Sequence, residues 1–359
     1  MIEPRMHLQH LHRDTEFGAN RAKYVCLDRN ERVIPLPASI LQEILSSLPP
    51  YVFNAYPDSS PLYKRLSRHL NVGLDQIVVT SGSDAAIRRV FDTFVDPGDF
   101  VLQVEPSYAM YQVYTKLYQG CAEVVHYTSS LELPIDDLIA RIVQRPRLLL
   151  LANPDQPTGT AQTTVTMQTL AREALRNDVV MLIDEAYHPF NVESAVSWSA
   201  GFENVLVSRT FSKASGLAGL RVGYLVGASR LIDWIQRTRG SFDVNTVGIA
   251  VASWLLDHPQ LEYDHVREVE AGRDILRTAA ARLGLGFPQC RTNFQLLRFP
   301  LEIDLRCIVN ELKEEGFLVK GPFDAQSMRG CLRVSLAGPE VIQSFVCALD
   351  RVISRVRVK

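Results

Sequence analysis

The sequence predicts an α/β fold, in which helices cover both faces of a mostly parallel sheet, joined to a smaller α+β domain. Two observations support this prediction. Short, fully apolar runs such as LLLLA and VVMLI alternate with segments of helical periodicity over roughly residues 50 to 245, a pattern typical of a buried parallel sheet. Farther along, NFQLLRFP (293–300) alternates like a half-buried strand, with amphipathic helices on either side of it.

The predicted sheet begins with QIVVT (76–80), which is followed by the helix DAAIRRVFDTFV (84–95). Apolar side chains share one face of that helix, namely Ile87, Val90, Phe91, Phe94 and Val95. A second helix, SYAMYQVYTKLYQG, is predicted to end at Gly120. The remaining predicted strands are DFVLQVEP, AEVVHYT, RLLLLANP (147–154), VVMLIDEAY (179–187), ENVLVSRTFS (203–212) and VGYLVG (222–227).

The smaller domain is predicted from the last part of the chain. REVEAGRDILRTAAARLG (267–284) has the pattern of an amphipathic helix. DLRCIVNELKEEGFLVKG predicts a helix and then a strand, GCLRVSL a strand, and PEVIQSFVCALDRVISRV a closing helix. The length of 359 residues suits two domains. We therefore predict a large domain over residues 50–245 and a small domain made of residues 1–49 and 246–359.

The composition excludes several classes of protein. Lys plus Arg number 38 and Asp plus Glu number 40, so the formal charge of −2 gives no strong attraction to nucleic acid or to an anionic membrane. The first residues lack the apolar core of a secretory signal, and LLLLA and VVMLI are too short to span a bilayer. Six scattered cysteines without a CxxC pair argue against a zinc site and a disulfide scaffold. These features predict a cytoplasmic protein without a metal.

Candidate functional residues follow the apolar runs, because ligands of an open parallel sheet bind at the carboxyl ends of its strands. SGSD (81–84) follows QIVVT and precedes a helix. Free backbone N–H groups at this helix start would suit a phosphate, although Ser83 or Asp84 could serve as a plain N-cap. Asp184 follows VVMLI, and a buried carboxylate there needs a partner, which is a protonated ring nitrogen or a structural salt bridge.

The stretch SRTFSKASGLAGLRVGYLVG (208–227) contains a single lysine, Lys213. A lysine amine forms a Schiff base only when it is unprotonated, a form that burial and a neighbouring cation favour. Thr210, Ser212 and Arg221 could hold a phosphate. The glycine spacing does not match G-x-G-x-x-G, so a dinucleotide site is excluded. Together with Asp184, these residues supply what pyridoxal phosphate requires.

Three motifs then show a resemblance to a known family. NPDQPTG (153–159), DEAY (184–187) and SK (212–213) with Arg221 resemble the motifs of fold type I, class II aminotransferases. RTFSKASGLAGLRVGY is especially similar to histidinol-phosphate aminotransferases, and the resemblance extends from Asn30 to the last helix. It implies a pyridoxal phosphate enzyme of amino-acid biosynthesis, which acts as a homodimer on an amino donor and a 2-oxo acid acceptor.

The resemblance also implies roles for individual residues. Lys213 would bind the cofactor aldehyde as a Schiff base and move a proton, while Asp184 would keep the pyridine nitrogen protonated. The other implied contacts are Asn153 and Tyr187 to the phenolic oxygen, Tyr108 stacked on the ring, Ser83, Asp84, Thr210, Ser212 and Arg221 around the phosphate, Tyr56 to the partner subunit's cofactor, and Arg333 to the substrate carboxylate.

Two positions depart from the pattern of the histidinol-phosphate enzymes. NERV (30–33) places Arg32 where the family usually has a tyrosine or an asparagine-proline pair, and FLVKG places Lys320 where an arginine helps to bind the substrate phosphate. Lysine keeps the charge and loses the bidentate geometry. Both residues are expected to bind the distal group of the substrate, which leaves histidinol phosphate open as the donor.

Two alternatives to an aminotransferase remain open in the sequence. A pyridoxal phosphate decarboxylase resembling threonine-phosphate decarboxylases would use the same Lys213 and Asp184. A non-enzymatic effector-binding module of this fold would carry a DNA-binding domain at its N-terminus, and only some 50 residues precede the predicted sheet here, with no helix-turn-helix pattern.

Overall fold

The computed structural model describes residues 4–8 and 20–358. The helices of eight or more residues, together with the short α7, are α1 (Ala38–Ser47), α2 (Ser60–Leu70), α3 (Gly82–Phe94), α4 (Met110–Leu117), α5 (Ile135–Ile142), α6 (Thr164–Arg176), α7 (Val196–Ser199), α8 (Ser229–Gln236), α9 (Thr246–Asp257), α10 (Gln260–Leu283), α11 (Leu305–Glu314) and α12 (Pro339–Val358). The strands are β1 (Val25–Cys26), β2 (Ile77–Thr80), β3 (Phe100–Glu105), β4 (Cys121–His126), β5 (Leu148–Ala152), β6 (Val180–Asp184), β7 (Val205–Thr210), β8 (Gly223–Gly227), β9 (Phe294–Arg298), β10 (Phe317–Leu318) and β11 (Cys331–Ser335).

Seven of these strands form one central sheet in the order β2-β8-β7-β6-β5-β3-β4. The pairs from β7 to β4 are parallel, whereas β8 runs antiparallel to both β7 and β2. The predicted α/β class with a mostly parallel sheet is therefore confirmed, with one reversed strand. The register aligns Ala152 with Asp184 and Asp184 with Ser208, so the ends of β5, β6 and β7 meet at one edge.

Successive side chains of each central strand point to opposite faces of the sheet, and each face packs into its own apolar core. Residues such as Leu149, Leu151 and Ile183 pack with α1, α2, α5, α6 and α9 on one face. Residues such as Leu150 and Leu182 pack with α3, α4 and α8 on the other. Helices cover both faces of the sheet, so the apolar side chains of β5 and β6 are removed from water. This burial stabilises strands that have no polar face.

A third core lies outside the central sheet. It joins α10, α11 and α12 to the antiparallel pair β9–β11, with Phe294, Leu297 and Phe345 among its buried side chains. A short parallel pair of β1 with β10 adds the beginning of the described chain to the same region. Ile44 of α1 and Ile249 of α9 pack into a core of the central sheet, although both helices lie outside the predicted limits 50–245. The division into two domains stays a prediction.

Membrane-spanning helices and metal-binding clusters are both absent from the described residues. Within residues 4–8 and 20–358, no helix combines the length and the apolar character needed to cross a bilayer. The same residues contain no group of three or more His, Cys, Asp or Glu side chains placed to hold a metal ion.

Candidate active site

A cavity of about 390 Å³ opens at the carboxyl ends of β5, β6 and β7, and we call it the inner cavity. The sequence-predicted residues that line it are Ser83, Asp84, Tyr108, Asp184, Tyr187, Thr210, Ser212, Lys213 and Arg221. They come from the start of α3, the segment before α4 and the segments after β6 and β7. The sheet register therefore brings together residues that are far apart in the chain.

Lys213 lies in the loop after β7 with a half-buried side chain. Its Nζ donates to the carbonyl oxygens of Arg29 at 3.2 Å and Asn30 at 3.1 Å. Burial of the amine, followed by the nearby Arg333 guanidinium, lowers the pKa of Lys213 to about 8. A larger fraction of this lysine than of an exposed one is unprotonated at neutral pH, as a nucleophilic amine requires.

Asp184 ends β6 and is buried within the chain. Its Oδ1 accepts from the Ser208 hydroxyl at 2.7 Å and from the Ala186 N–H at 3.2 Å, and its Oδ2 accepts from the Tyr111 hydroxyl at 3.2 Å. Burial raises the pKa of Asp184 to about 6, since the hydrogen bonds only partly offset the loss of water. At neutral pH the cavity therefore contains a carboxylate that can bind a cationic group.

Arg221 and the start of α3 form a site for an anion. Arg221 adopts a left-handed conformation (φ 54°) and donates to the Ser212 hydroxyl at 3.2 Å. The Thr210 hydroxyl donates to the same oxygen at 2.9 Å. Gly82 opens α3 at φ +85°, and a Cβ at that position would lie 2.6 Å from Nη2 of Arg221. Gly82 lacks the Cβ that would press on this guanidinium, so Arg221 lies beside the N-terminus of the 13-residue α3, where free N–H groups favour a phosphate.

Two tyrosines complete the wall of the inner cavity. The Tyr108 hydroxyl donates to Asp84 Oδ1 at 3.3 Å. The Tyr187 hydroxyl accepts from Asn30 Nδ2 at 2.8 Å, and burial raises the pKa of Tyr187 to about 12. Tyr187 therefore remains a neutral hydroxyl at neutral pH. Because Asn30 donates to the Tyr187 oxygen, the Tyr187 hydroxyl proton is not used in this hydrogen bond and can be donated to a ligand.

The structure places Asn153 differently from the sequence prediction. Its Oδ1 accepts from the Gln162 N–H at 2.7 Å and its Nδ2 donates to the Gln162 carbonyl at 3.2 Å. Both ends of the amide are thus bonded to the backbone of one loop residue, and Asn153 is not among the residues that line the inner cavity. Gln156 of the same loop lines that cavity instead. Asn153 is a loop-bracing residue in this geometry.

A second cavity of about 930 Å³, the outer cavity, adjoins the first and shares Tyr108 and Gln156 with it. Arg333 and Lys320 line it. Arg333 is buried and donates to the Asp28 carbonyl at 2.8 Å, whereas its Nε has no hydrogen-bond partner in the described part of the chain. Lys320 pairs with Arg333 through the backbone (3.0 and 2.8 Å) and is exposed. Two cationic residues on paired backbone segments therefore line the outer cavity.

Arg32 lies outside both cavities, contrary to the role expected for it. Its Cδ packs so closely on Gly216 that a Cβ there would lie 2.6 Å away. Its Nη2 is 3.9 Å from a carboxylate oxygen of Glu268 on α10. The side chain is 9% exposed and packs on the loop after Lys213.

Tyr56 is also outside the inner cavity. It is 79% exposed and stacks on Phe242 with the ring centroids 4.2 Å apart. Tyr56 is not among the residues that line the inner cavity of this chain, and its predicted contact is with the partner subunit's cofactor.

Several residues at the site are absent from the sequence prediction. Tyr111 follows Tyr108 by three positions in the helix that the sequence predicts, a spacing that would place both on one helical face. Ser208 is aligned with Asp184 on the neighbouring strand. Helical spacing could have identified Tyr111, whereas the strand register that selects Ser208 is visible only in the fold.

Comparisons with known proteins identify the family of this chain. The family model for aminotransferase class I and II matches residues 47–345. The chain is 32% identical over 345 residues to histidinol-phosphate aminotransferase 1 of Cupriavidus pinatubonensis, covering 94% of this chain and 90% of the relative. It is also 32% identical over 326 residues to a histidinol-phosphate aminotransferase of Dehalococcoides mccartyi, covering 90% and 88%.

Solved structures share the fold at lower identity. The histidinol-phosphate aminotransferase of Sinorhizobium meliloti, in complex with pyridoxal-5′-phosphate, superposes with a TM-score of 0.87 at 23% identity, over 99% of this chain and 98% of that one. An aspartate aminotransferase double mutant from Thermus thermophilus gives 0.82 at 20% identity, over 99% and 100%. The chain therefore belongs to the class I and II aminotransferases, and is an enzyme that depends on pyridoxal phosphate.

Proposed function

We propose that this aminotransferase acts on an amino donor that carries a second, anionic group, with a 2-oxo acid as acceptor. The names of the relatives suggest histidinol phosphate as this donor. The observation that carries the proposal is the position of Arg333 and Lys320 beside each other in the outer cavity, next to the cavity that contains Lys213. Two adjacent cations can bind the phosphate of such a donor and, in the other half of the reaction, the carboxylate of the 2-oxo acid.

The residues of the inner cavity fit pyridoxal phosphate. When bound, the cofactor supplies an aldehyde and a ring that accepts electrons. The anion site of Arg221, Ser212 and the α3 N-terminus would hold its phosphate, and Asp184 would face its ring nitrogen. Because Gly82 has no Cβ, the Arg221 guanidinium can lie beside the α3 N-terminus, and the anion site is not filled by a side chain at position 82. Tyr108, which lines the cavity between Asp184 and the outer cavity, would pack against the ring.

Lys213 has the central chemical role in this proposal. Its lowered pKa provides a neutral amine that can attack an aldehyde and later take a proton from the substrate Cα and return it. Asp184, ionised at neutral pH, would hold the proton on the ring nitrogen. Tyr187 would donate to the phenolic oxygen, and we assign the second contact with this oxygen to Gln156 rather than Asn153, because Gln156 lines the cavity.

An amino-donor screen tests the choice of substrate. The loaded enzyme is mixed with histidinol phosphate, histidinol, histidine, glutamate or aspartate, and the loss of the cofactor's visible absorbance is followed in single turnover. We expect histidinol phosphate to react with a much higher kcat/KM than histidinol, and Lys320→Ala to reduce that ratio. Equal reactivity of the phosphorylated and unphosphorylated donors would refute the proposal. Carbon dioxide release, measured in parallel, tests for a decarboxylase.

We also propose that the active enzyme is a homodimer in which Tyr56 reaches the partner's cofactor. Tyr56 and Phe53, 79% and 86% exposed, lie on one surface segment with the half-exposed Phe242. Exposed aromatic side chains of this kind are enriched in interfaces. Mixed dimers of Lys213→Ala and Tyr56→Ala subunits contain one intact site only if Tyr56 acts across the interface, so activity regained on mixing supports the proposal and its absence contradicts it.

The other hypotheses are weaker. The relatives reported above are named aminotransferases, so the decarboxylase and the effector-binding module are not favoured. The cytoplasmic location and the two-domain division stay predictions of the sequence.

A further inference from the structure

The two carboxylate oxygens of Asp184 differ in their hydrogen bonds. Oδ1 has two donors, Ser208 and the Ala186 N–H, at 2.7 and 3.2 Å. Oδ2 accepts only from the Tyr111 hydroxyl, at 3.2 Å, among the residues for which the structure gives hydrogen bonds. Oδ2 therefore has capacity left for one more donor. Because Asp184 lines the inner cavity, a group bound there can supply that donor.

We propose that Tyr111 is a positioning residue for the cofactor, whose hydroxyl orients Oδ2 of Asp184 towards the pyridine nitrogen and sets the affinity of this carboxylate for a proton. The proposal rests on the role of Asp184 given above. Tyr111 itself would not touch the reacting atoms, since it acts through the carboxylate.

Packing holds Tyr111 in the one position that this role needs. The residue is 1% exposed, in the core between α4 and the sheet. Its ring meets the ring of Tyr108 edge to face, with centroids 5.7 Å apart and an interplanar angle of 89°. The ring of Tyr111 is thus packed against Tyr108, and its hydroxyl is hydrogen-bonded to Asp184. Burial raises the pKa of Tyr111 far above its usual value, so the phenol stays a donor throughout the working range.

The hydroxyl has a specific electrostatic consequence. A hydrogen bond to the ionised form of an acid lowers its pKa, so removal of the Tyr111 hydroxyl raises the pKa of Asp184 above its present value. The titratable groups that interact with Asp184 are Tyr108 from the segment before α4, Tyr111 from α4, Tyr187 and Glu185 from the chain after β6, and Lys213 from the loop after β7. A protonated ring nitrogen binds the ionised carboxylate, so a higher pKa moves the acid loss of cofactor binding to a higher pH.

The test compares two ligands in three proteins. Tyr111→Phe is the test variant. Tyr114→Phe is the matched control, because Tyr114 is a buried tyrosine of the same helix whose hydroxyl donates to the Asp84 backbone carbonyl at 3.4 Å and not to Asp184. Dissociation constants are measured from pH 5 to 8 for pyridoxal phosphate and for its 1-deaza analogue, in which a C–H group replaces the ring nitrogen. Thermal unfolding checks that each apoprotein folds.

We expect Tyr111→Phe to bind pyridoxal phosphate roughly tenfold more weakly than wild type near pH 6, the effect of losing one charge-assisted hydrogen bond. Its affinity for the 1-deaza analogue should not change, and Tyr114→Phe should match wild type for both ligands. Equal weakening for both ligands would make Tyr111 a packing residue only, and no change for either would also overturn the proposal.

Two additions keep the outcome unambiguous. Asp184→Asn should weaken the binding of pyridoxal phosphate and leave the binding of the analogue unchanged. If it changes the binding of neither ligand, the proposed role of Asp184 fails. If Asp184→Asn behaves as expected while Tyr111→Phe binds both ligands like wild type, the role of Tyr111 alone is overturned. If Tyr111→Phe does not fold, 3,5-difluorotyrosine at position 111 provides a stronger donor, and the acid midpoint of binding should then move to lower pH. An unmoved midpoint counts against the proposal.

Discussion

Gly82→Ala tests the anion site at the start of α3. Gly82 has φ +85°, a conformation that costs a residue with a side chain about 1–3 kcal/mol. The added Cβ would lie 2.6 Å from Nη2 and 3.2 Å from Cζ of Arg221, so the guanidinium must move away from the helix N-terminus. A charge-assisted hydrogen bond contributes about 1.5–3 kcal/mol. Its loss should weaken pyridoxal phosphate roughly ten- to hundredfold.

The matched control for this variant is Gly98→Ala. Gly98 has φ +93°, and a Cβ there would have nothing within 4 Å. Both variants should therefore lower the melting temperature of the apoprotein by similar amounts, while only Gly82→Ala should weaken the cofactor. The assay is equilibrium titration of each apoprotein with pyridoxal phosphate, followed by absorbance. If Gly82→Ala binds the cofactor as tightly as Gly98→Ala, the assignment of the phosphate to this site is wrong.

Three further predictions concern charges at and near the site. Burial raises the pKa of Asp184 from 3.8 to about 6, so the folded apoprotein holds this proton more tightly than the unfolded chain and loses stability as the pH rises through this interval. Asp184→Asn should therefore stabilise the apoprotein at pH 7 by about 3 kcal/mol in urea denaturation, and an unchanged midpoint would contradict this. Arg333→Met should move the pH midpoint for attachment of the cofactor to Lys213 upward from about 8, since the cation is then absent, and should raise KM for carboxylate donors more than for simple amines; stopped-flow absorbance and steady-state kinetics measure the two effects. Arg209→Met leaves the buried Glu185, 2.9 Å from Arg209 Nη2, without its ion pair; it should cost about 3–5 kcal/mol in urea denaturation, and a loss below 1 kcal/mol would be inconsistent with a buried pair.

Much of the fold could be predicted from local patterns because the central strands are buried on both faces. LLLLA and VVMLI have no polar residue to place on a wet face, and the structure has them at β5 and β6. The reversed direction of β8 was not predictable in this way. VGYLVG is as apolar as its neighbours, and a single run does not reveal which way the chain enters the sheet.

The candidate site was predictable where its residues follow strands. Asp184 and Lys213 line the inner cavity because the ends of parallel strands converge at one edge. Arg221 lines it too because it precedes β8, an antiparallel strand that begins at the same edge. Asn153 and Gln156 show the limit of this reasoning. Both are amides in one turn, and only the hydrogen bonds to Gln162 reveal that Asn153 faces the backbone.

Arg32 shows a second limit. Its charge and its place near Asn30 are visible in the sequence, but the contacts with Gly216 and Glu268 depend on the docking of α10 against the loop after Lys213. Arg32 was expected to bind the substrate, and in the structure its side chain is packed within the protein. Tyr111 was missed for the opposite reason, since an apolar helical face hides a hydroxyl that donates to Asp184.

Reduction of the cofactor linkage tests the central claim most directly. The purified protein is treated with borohydride in the presence of pyridoxal phosphate, digested and analysed by mass spectrometry, with Lys213→Arg as the control. The account predicts one pyridoxyl adduct, on Lys213, and none in the variant. An adduct on a different lysine, or an unmodified Lys213 in protein that binds the cofactor, would contradict it.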